Sequence, residues 1–242
     1  MIVLGIETAA TVCAAAVVDG GVVLSERSLT EPHIHSERLM RLIDDAIATT
    51  GLEIEKLEGI AVSIGPGSFT GLRIGLSVAK GLAYAADKPI LPIPTLEALA
   101  WRAFGSGLAH ECDMLLPMLD ARRAEVYLAG YRVDGEELNE MIPPSAVVLS
   151  QLQRVLPAAG RIVAVGDGVE KFQQFLLESN PDYHTRIAIP TSANILCRAS
   201  TIGLLGEKRL MRGEVADLAS LEPLYVKDFY TLVRTQHEKV IL

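Results

Sequence analysis

The chain has 242 residues, half of them hydrophobic, and a formal net charge of −8, so it is long enough for one large domain or two ordinary ones. That charge argues against a surface that grips nucleic acid unaided, because phosphate binding draws on clustered Lys and Arg. No apolar run approaches the ~20 residues that span a bilayer.

The order of elements is legible from hydrophobic period and turn residues. Ile2 to Ile6 is an apolar strand, and Val12 to Val18 with Val22 to Leu29 reads as a hairpin joined through Asp19-Gly20-Gly21. The Val12 to Val18 run has no basic segment before it and Glu7 in its approach, so a buried strand is expected there rather than a leader peptide. From Ile34 the period becomes helical: Leu39, Leu42, Ile43, Ala46 and Ile47 share one face, and Ser36 is the expected cap. Ile60 to Ile64 is a strand stopped by Gly65-Pro66-Gly67, after which Ser68 or Thr70 caps a helix of about four turns. Pro89 to Pro94 is a short strand and Thr95 to Phe104 a helix capped by Thr95.

The second half repeats this order. Met114 to Leu119, Glu125 to Tyr131 and a third run after Val133-Asp134-Gly135-Glu136 are strands, and Leu149 to Leu156 is a short helix. Arg161 to Val165 ends in Gly166-Asp167-Gly168 before a helix from Val169 to Leu177, as Ile60 to Ile64 ends in Gly65-x-Gly67. Ile187 to Ile189 and a helix from Ala193 to Met211 complete the pattern, while the tail from Leu221 either packs on a lobe or lies loose. Three strands, helix, strand, helix, strand, helix, twice over, predicts a duplicated α/β architecture with mixed five-stranded sheets and flanking helices. The flexible-looking Gly105-Ser106-Gly107 marks the expected boundary, giving lobes 1–107 and 108–242.

The helix after Gly67 carries Gly71, Gly75 and Gly81, and each helical glycine costs about 0.8–1 kcal/mol relative to alanine. Gly71, Gly75 and Ala79 fall four apart beside Val78 and Leu82, a smooth stripe that either packs tightly within the monomer or receives a partner helix.

Few constellations carry chemistry. The run from Gly65 to Gly71 lacks the Lys of a P-loop and the third glycine of a dinucleotide fingerprint, which would stand at Thr70, though backbone N–H groups at that helix start suit an anion. Ser68 lies on a strand-to-helix turn, but Pro66 and Thr70 occupy the glycine positions of a nucleophile elbow. His33, His35, His110, His184 and His237 form no strong metal spacing, and Cys13, Cys112 and Cys197 form no C-x-x-C pair. No metal or cofactor is expected, and a reducing cytoplasm fits the cysteines. Glu7 and Asp120 each follow the first strand of a lobe, where a phosphate-transfer fold places a carboxylate, although both also suit ordinary turns. Arg122-Arg123 forms a salt-bridged turn with Asp120 or meets an acidic ligand.

GIETAATVCAAAV at Gly5 to Val17, HSERLMRLID at His35 to Asp44 and SIGPGSFTGLRIGLSVAKGLA at Ser63 to Ala83 closely resemble the bacterial TsaB (YeaZ) proteins, as do PTLEALA at Pro94 to Ala100 and MLDARRAEVYLAGY at Met118 to Tyr131. The resemblance implies two duplicated RNase H-like lobes of the actin and sugar-kinase (ASKHA) superfamily. It also implies a non-catalytic, cytoplasmic subunit of the tRNA modification machinery that places threonylcarbamoyl on N6 of the adenosine beside the anticodon. In that family the paralogue TsaD carries the metal and the active site, TsaE supplies an ATPase, and TsaB binds and activates TsaD, forms homodimers alone and meets tRNA only through the complex.

The implied partner interface comprises His35, Leu39, Leu42, Ile43 and Ala46 from one helix and Gly71, Leu72, Gly75, Val78, Ala79 and Leu82 from the next. Glu7, Thr8, Gly65, Gly67, Ser68 and Asp120 form a candidate degenerate anion or nucleotide site, with Glu7 where nucleotide-binding relatives use Asp. The rival readings are a stand-alone ATPase or small-molecule kinase, with Glu7 and Asp120 around magnesium, and a metallopeptidase, which no zinc constellation supports.

Overall fold

A computed structural model describes residues 1–30, 35–110, 113–179, 186–190 and 195–227, leaving aside the side chains of 35 and 177–179. His33, Cys112, His184, His237 and the expected helix start at Ala193 lie outside these residues. Strands β1 (Val3–Glu7), β2 (Cys13–Asp19), β3 (Val22–Leu29), β4 (Gly59–Gly65) and β5 (Ile90–Pro94) form one sheet in the order β3-β2-β1-β4-β5. Strands β6 (Met114–Asp120), β7 (Glu125–Asp134), β8 (Glu137–Val148), β9 (Ile162–Val165) and β10 (Ile187–Ala188) form a second, in the order β10-β9-β6-β7-β8. In both, the first three strands are antiparallel neighbours and the crossover strands run parallel to the first, so the expected duplication into two mixed five-stranded sheets is present.

The helices are α1 (His35–Thr50), α2 (Phe69–Ala86), α3 (Thr95–Gly105), α4 (Val169–Ser179) and α5 (Ala199–Met211). Ser68 caps α2, its hydroxyl accepting from the Gly71 N–H at 3.2 Å. Two expected caps differ. Ser36 lies inside α1, and Thr95 is the first helical residue of α3, its hydroxyl accepting instead from the Gly65 N–H at 3.1 Å. The expected helix from Leu149 to Leu156 is a 3-10 segment, Leu149–Arg154.

Every residue of β1 is buried, because both faces of the first sheet are covered. Leu4 and Ile6 meet Leu39, Ile43, Leu76 and Ala79 of α1 and α2. On the opposite face Val3, Val18 and Ala61 meet Ile202 and Leu205 of α5. Thus the last helix among the described residues completes the first sheet, while α3 lays Leu96, Leu99, Ala100 and Ala103 on the second sheet beside Leu115, Tyr131 and Val163. The far face of the second sheet is closed by α4 through Phe172 and Leu176. Arg209 of α5 pairs with Glu97 of α3 at 2.6 Å and also donates to the Pro92 carbonyl, and Glu26 of β3 accepts from the Ser200 N–H and hydroxyl at the start of α5, both at 3.1 Å.

The α5 contact is close because it is made between glycines. A Cβ on Gly5 would lie 2.6 Å from the Gly203 nitrogen and collide with the Ala199 carbonyl, and these are backbone atoms with little room to move. Gly81, on the outer side of α2, has nothing within 4 Å of the same position. Gly5→Ala is therefore expected to lower unfolding free energy by about 3 kcal/mol through overpacking, and Gly81→Ala to raise it by about 1 kcal/mol through helix propensity, both measured by urea denaturation.

Candidate functional site between the lobes

The two sheets present the carboxyl ends of β1 and β6 to an open cleft of ≈ 970 Å³. One wall is the start of α2, with Gly67, Ser68, Thr70 and Ile74; the other carries Asp120, Arg122, Tyr127 and Asp167. Of the expected anion-site residues, the fold brings Gly67, Ser68 and Asp120 together on this cleft. Glu7 and Thr8 are fully buried beneath it, and Gly65 is buried behind the turn.

The burial of Glu7 and Thr8 follows from how α2 is seated. The Ser68 N–H donates to the Ala9 carbonyl at 2.7 Å, and a Cβ on Gly67 would strike the same carbonyl. A Cβ on Gly71 would strike the Thr8 carbonyl and one on Gly75 the Thr8 hydroxyl. At Gly71 and Gly75 the glycine stripe is thus filled from within the chain by the segment leaving β1, the first of the two arrangements expected for it. Leu39, Leu42, Ile43, Ala46, Leu72 and Ala79 are likewise buried in the monomer, and Val78 and Leu82 are half-buried at its edge.

Glu7 Oε1 accepts from the N–H groups of Ala9 at 2.7 Å and Ala10 at 3.2 Å, while Oε2 and the Thr8 hydroxyl have no partner among the described residues. Burial raises the Glu7 pKa to about 7 against the pull of those N–H groups. Asp120 differs. Burial opposes its ionisation, but the Lys171 ammonium at 2.5 Å and the Arg122 N–H at 2.6 Å outweigh it and hold the carboxyl below its usual range. The cation paired with Asp120 is therefore Lys171 of α4, and Arg122 contributes its backbone N–H where its guanidinium was expected. Arg122 and Arg123 both take the left-handed conformation, with φ of 67° and 50°. Asp167 accepts from the Asp120 N–H at 3.0 Å, and burial followed by the Asp120 charge raises its pKa.

Sequence reasoning missed Asp167 and Tyr127 as cleft residues, and Lys171 as the partner of Asp120. The parallel between Gly65-x-Gly67 and Gly166-x-Gly168 is the signal for Asp167, since the second turn packs against the end of β6 as the first does against β1. A Cβ on Gly166 would collide with the Met118 carbonyl, and one on Gly168 would lie 3.0 Å from Leu119.

A carboxyl whose pKa rises from 4.5 in the unfolded chain to about 7 binds more protons in the folded state between those values, so folding stability falls as pH rises from 4.5 to 7. The loss attributable to Glu7 is on the order of 3 kcal/mol. Glu7→Gln, which keeps the acceptor for Ala9 and Ala10, is expected to flatten this part of the profile in urea titrations between pH 4.5 and 8. A variant profile parallel to the parent would assign the slope elsewhere.

Residues 20–228 match the family described as TsaD: tRNA N6-adenosine threonylcarbamoyltransferase. The chain is similar to the tRNA threonylcarbamoyladenosine biosynthesis protein TsaB of Escherichia coli K12, 29% identical over 237 residues covering 94% of this chain and 95% of the relative. It is similar to TsaB of Bacillus subtilis 168, 28% identical over 228 residues and 94% of each chain. Among solved structures, YeaZ from Pseudomonas aeruginosa superposes with a TM-score of 0.75 at 25% identity, covering 93% of this chain and 99% of that one. Matched over nearly its whole length in sequence and in fold, the chain belongs to the tRNA N6-adenosine threonylcarbamoyltransferase family, among its TsaB (YeaZ) proteins.

Proposed function

We propose that this protein is a non-catalytic, cytoplasmic subunit of the tRNA threonylcarbamoyladenosine machinery, one that binds the catalytic paralogue TsaD and holds it in its active form. The carrying observation is that both carboxyl groups at the strand ends are held by the protein, Glu7 through Oε1 alone and Asp120 through an ion pair. Glu7 is buried on the N–H groups of Ala9 and Ala10, and Asp120 is paired with Lys171. A kinase or ATPase of this fold needs such groups turned toward metal and phosphate, which makes independent ATP turnover the weaker reading. TsaE and tRNA join through the complex in this proposal, and homodimers form when TsaD is absent.

The partner surface in this reading is the outer side of α1 and α2. Met40 is 44% exposed and Tyr84 85% exposed, and the half-buried row Ile74, Val78 and Leu82 lies between exposed Ser77 and Gly81 and the core. Leu39, Leu42, Ile43, Ala46, Leu72 and Ala79 shape that surface from beneath, and Gly71 and Gly75 seat α2 on β1. The helix pair meeting its counterpart on a second chain makes a four-helix contact. His35 heads α1, and its side chain lies outside the described residues.

The isolated chain is expected to transfer nothing to tRNA and to restore transfer when added to TsaD, TsaE and the threonylcarbamoyl-adenylate donor; full activity without it would overturn the reading. In size-exclusion chromatography with light scattering, mixing with TsaD of the same organism is expected to convert homodimer to a mixed complex. Ser77→Arg with Gly81→Arg, both at exposed positions, is expected to weaken that complex by roughly tenfold or more, as charge at an interface core does. Unchanged affinity would place the partner on another face.

A further inference from the structure

We propose that residues 216–227 form a strap that sets the angle between the two lobes, and with it the width of the cleft. After α5 the chain turns back along the first lobe. Ala216 bridges to Ile90 at the free edge of β5, its N–H donating to the Ile90 carbonyl at 3.0 Å, and Leu218 and Leu221 pack on the core beneath α1 and α2. The Leu224 N–H then donates to the Ile64 carbonyl at the end of β4, at 2.7 Å.

The strap fits here because Gly65 has no side chain. A Cβ at that position would lie 2.8 Å from the Leu224 carbonyl oxygen. One residue on, the Tyr225 hydroxyl accepts from Arg73 Nε at 3.1 Å and its ring lies 5.7 Å from that of Phe69, so both ends of the first turn of α2 are held. Lys227 crosses to the second lobe, where its ammonium pairs with Glu125 and reaches the Ala121 carbonyl at 3.4 Å. Glu125 and Ala121 flank the Arg122-Arg123 turn of the cleft wall.

Leu224 to Lys227 thus tie the turn before α2 to the turn after β6. These are the two segments that form opposite walls of the cleft, and Gly67, Phe69 and Tyr127 line both the cleft and the seam under the strap. An opening rotation of the lobes must either break the Lys227–Glu125 pair or peel Leu224 from Ile64 and Tyr225 from Arg73 and Phe69. The tie has one anchor in each lobe, of different chemistry: a backbone hydrogen bond with an aromatic contact on the first, an ion pair on the second. Each can be cut without touching a core residue.

Two variants of the full chain test this. Leu224→Pro removes the N–H given to Ile64, and Lys227→Gln removes the charge given to Glu125. With amide hydrogen exchange read by mass spectrometry, Lys227→Gln is expected to speed exchange of residues 120–125 by roughly tenfold while β1, β4 and α5 keep their protection. Leu224→Pro is expected to speed exchange of the strap and of residues 120–125 together. Both are expected to increase the radius of gyration measured by small-angle X-ray scattering. Unchanged scattering with unchanged exchange of residues 120–125 in Lys227→Gln would overturn the proposal, leaving the lobe angle to α3 and α5. So would a Leu224→Pro chain in which the strap alone loosens. Each readout is taken on the chain alone, so failure of the strap leaves the reading of a TsaD partner untouched.

Discussion

The structure depends on how closely α2 approaches the end of β1. Three glycines, at 67, 71 and 75, are each placed where a single carbon would strike Ala9 or Thr8. Helical glycines lower helix stability by nearly 1 kcal/mol apiece, and that cost is offset by what the approach makes possible. The Ser68 N–H reaches Ala9, Glu7 is sealed under the turn, and Leu72, Leu76 and Ala79 reach the first sheet. The second lobe uses the same device, with Gly166 and Gly168 seated on Met118 and Leu119. Each half therefore turns its chain at the same place in its sheet, and the two turns face each other across the cleft.

Sealing Glu7 decides the chemical character of that cleft. A carboxylate at a strand end is available to a metal or a phosphate only if it can turn outward and ionise cheaply. Here the carboxyl is fully buried, with a pKa raised to about 7, while Asp120 is ionised but committed to Lys171. Both carboxyl groups at the strand ends are thus held by groups of the protein itself. The outer side of α1 and α2, where Met40 and Tyr84 are exposed, is the surface on which the proposed function rests.

Much of this was legible in the residues. The repeated order of elements fixes two like sheets, because strand length, glycine turns and helical period are local properties. The Ser68 cap was legible for the same reason. The direction of the glycine stripe was not: spacing at 71, 75 and 79 shows that something comes close but not from which side, and here the neighbour is Thr8, a polar residue with no sequence mark of a packing partner. Thr95 was misread as a cap because its hydroxyl is used 30 residues away, by Gly65. The placement of α5 on the first sheet also lay beyond periodicity, since an apolar face does not name the sheet it covers. The Gly5 and Gly203 contact that decides it joins residues from opposite ends of the chain.

The crossing of α5 has a consequence for how the protein is made. During synthesis the five strands of the first sheet and helices α1 to α3 emerge early, but the face bearing Val3, Val18, Ala61 and Leu91 has only Ala98 and Trp101 of α3 against it until Ile202 and Leu205 arrive. The whole second sheet is translated in between. An amino-terminal lobe would ordinarily fold first and stand alone; here part of the apolar face of the first sheet is open until α5 has been synthesised. Each sheet thus takes a helix from the other half of the chain, α5 on the first and α3 on the second, so neither half is a finished domain by itself.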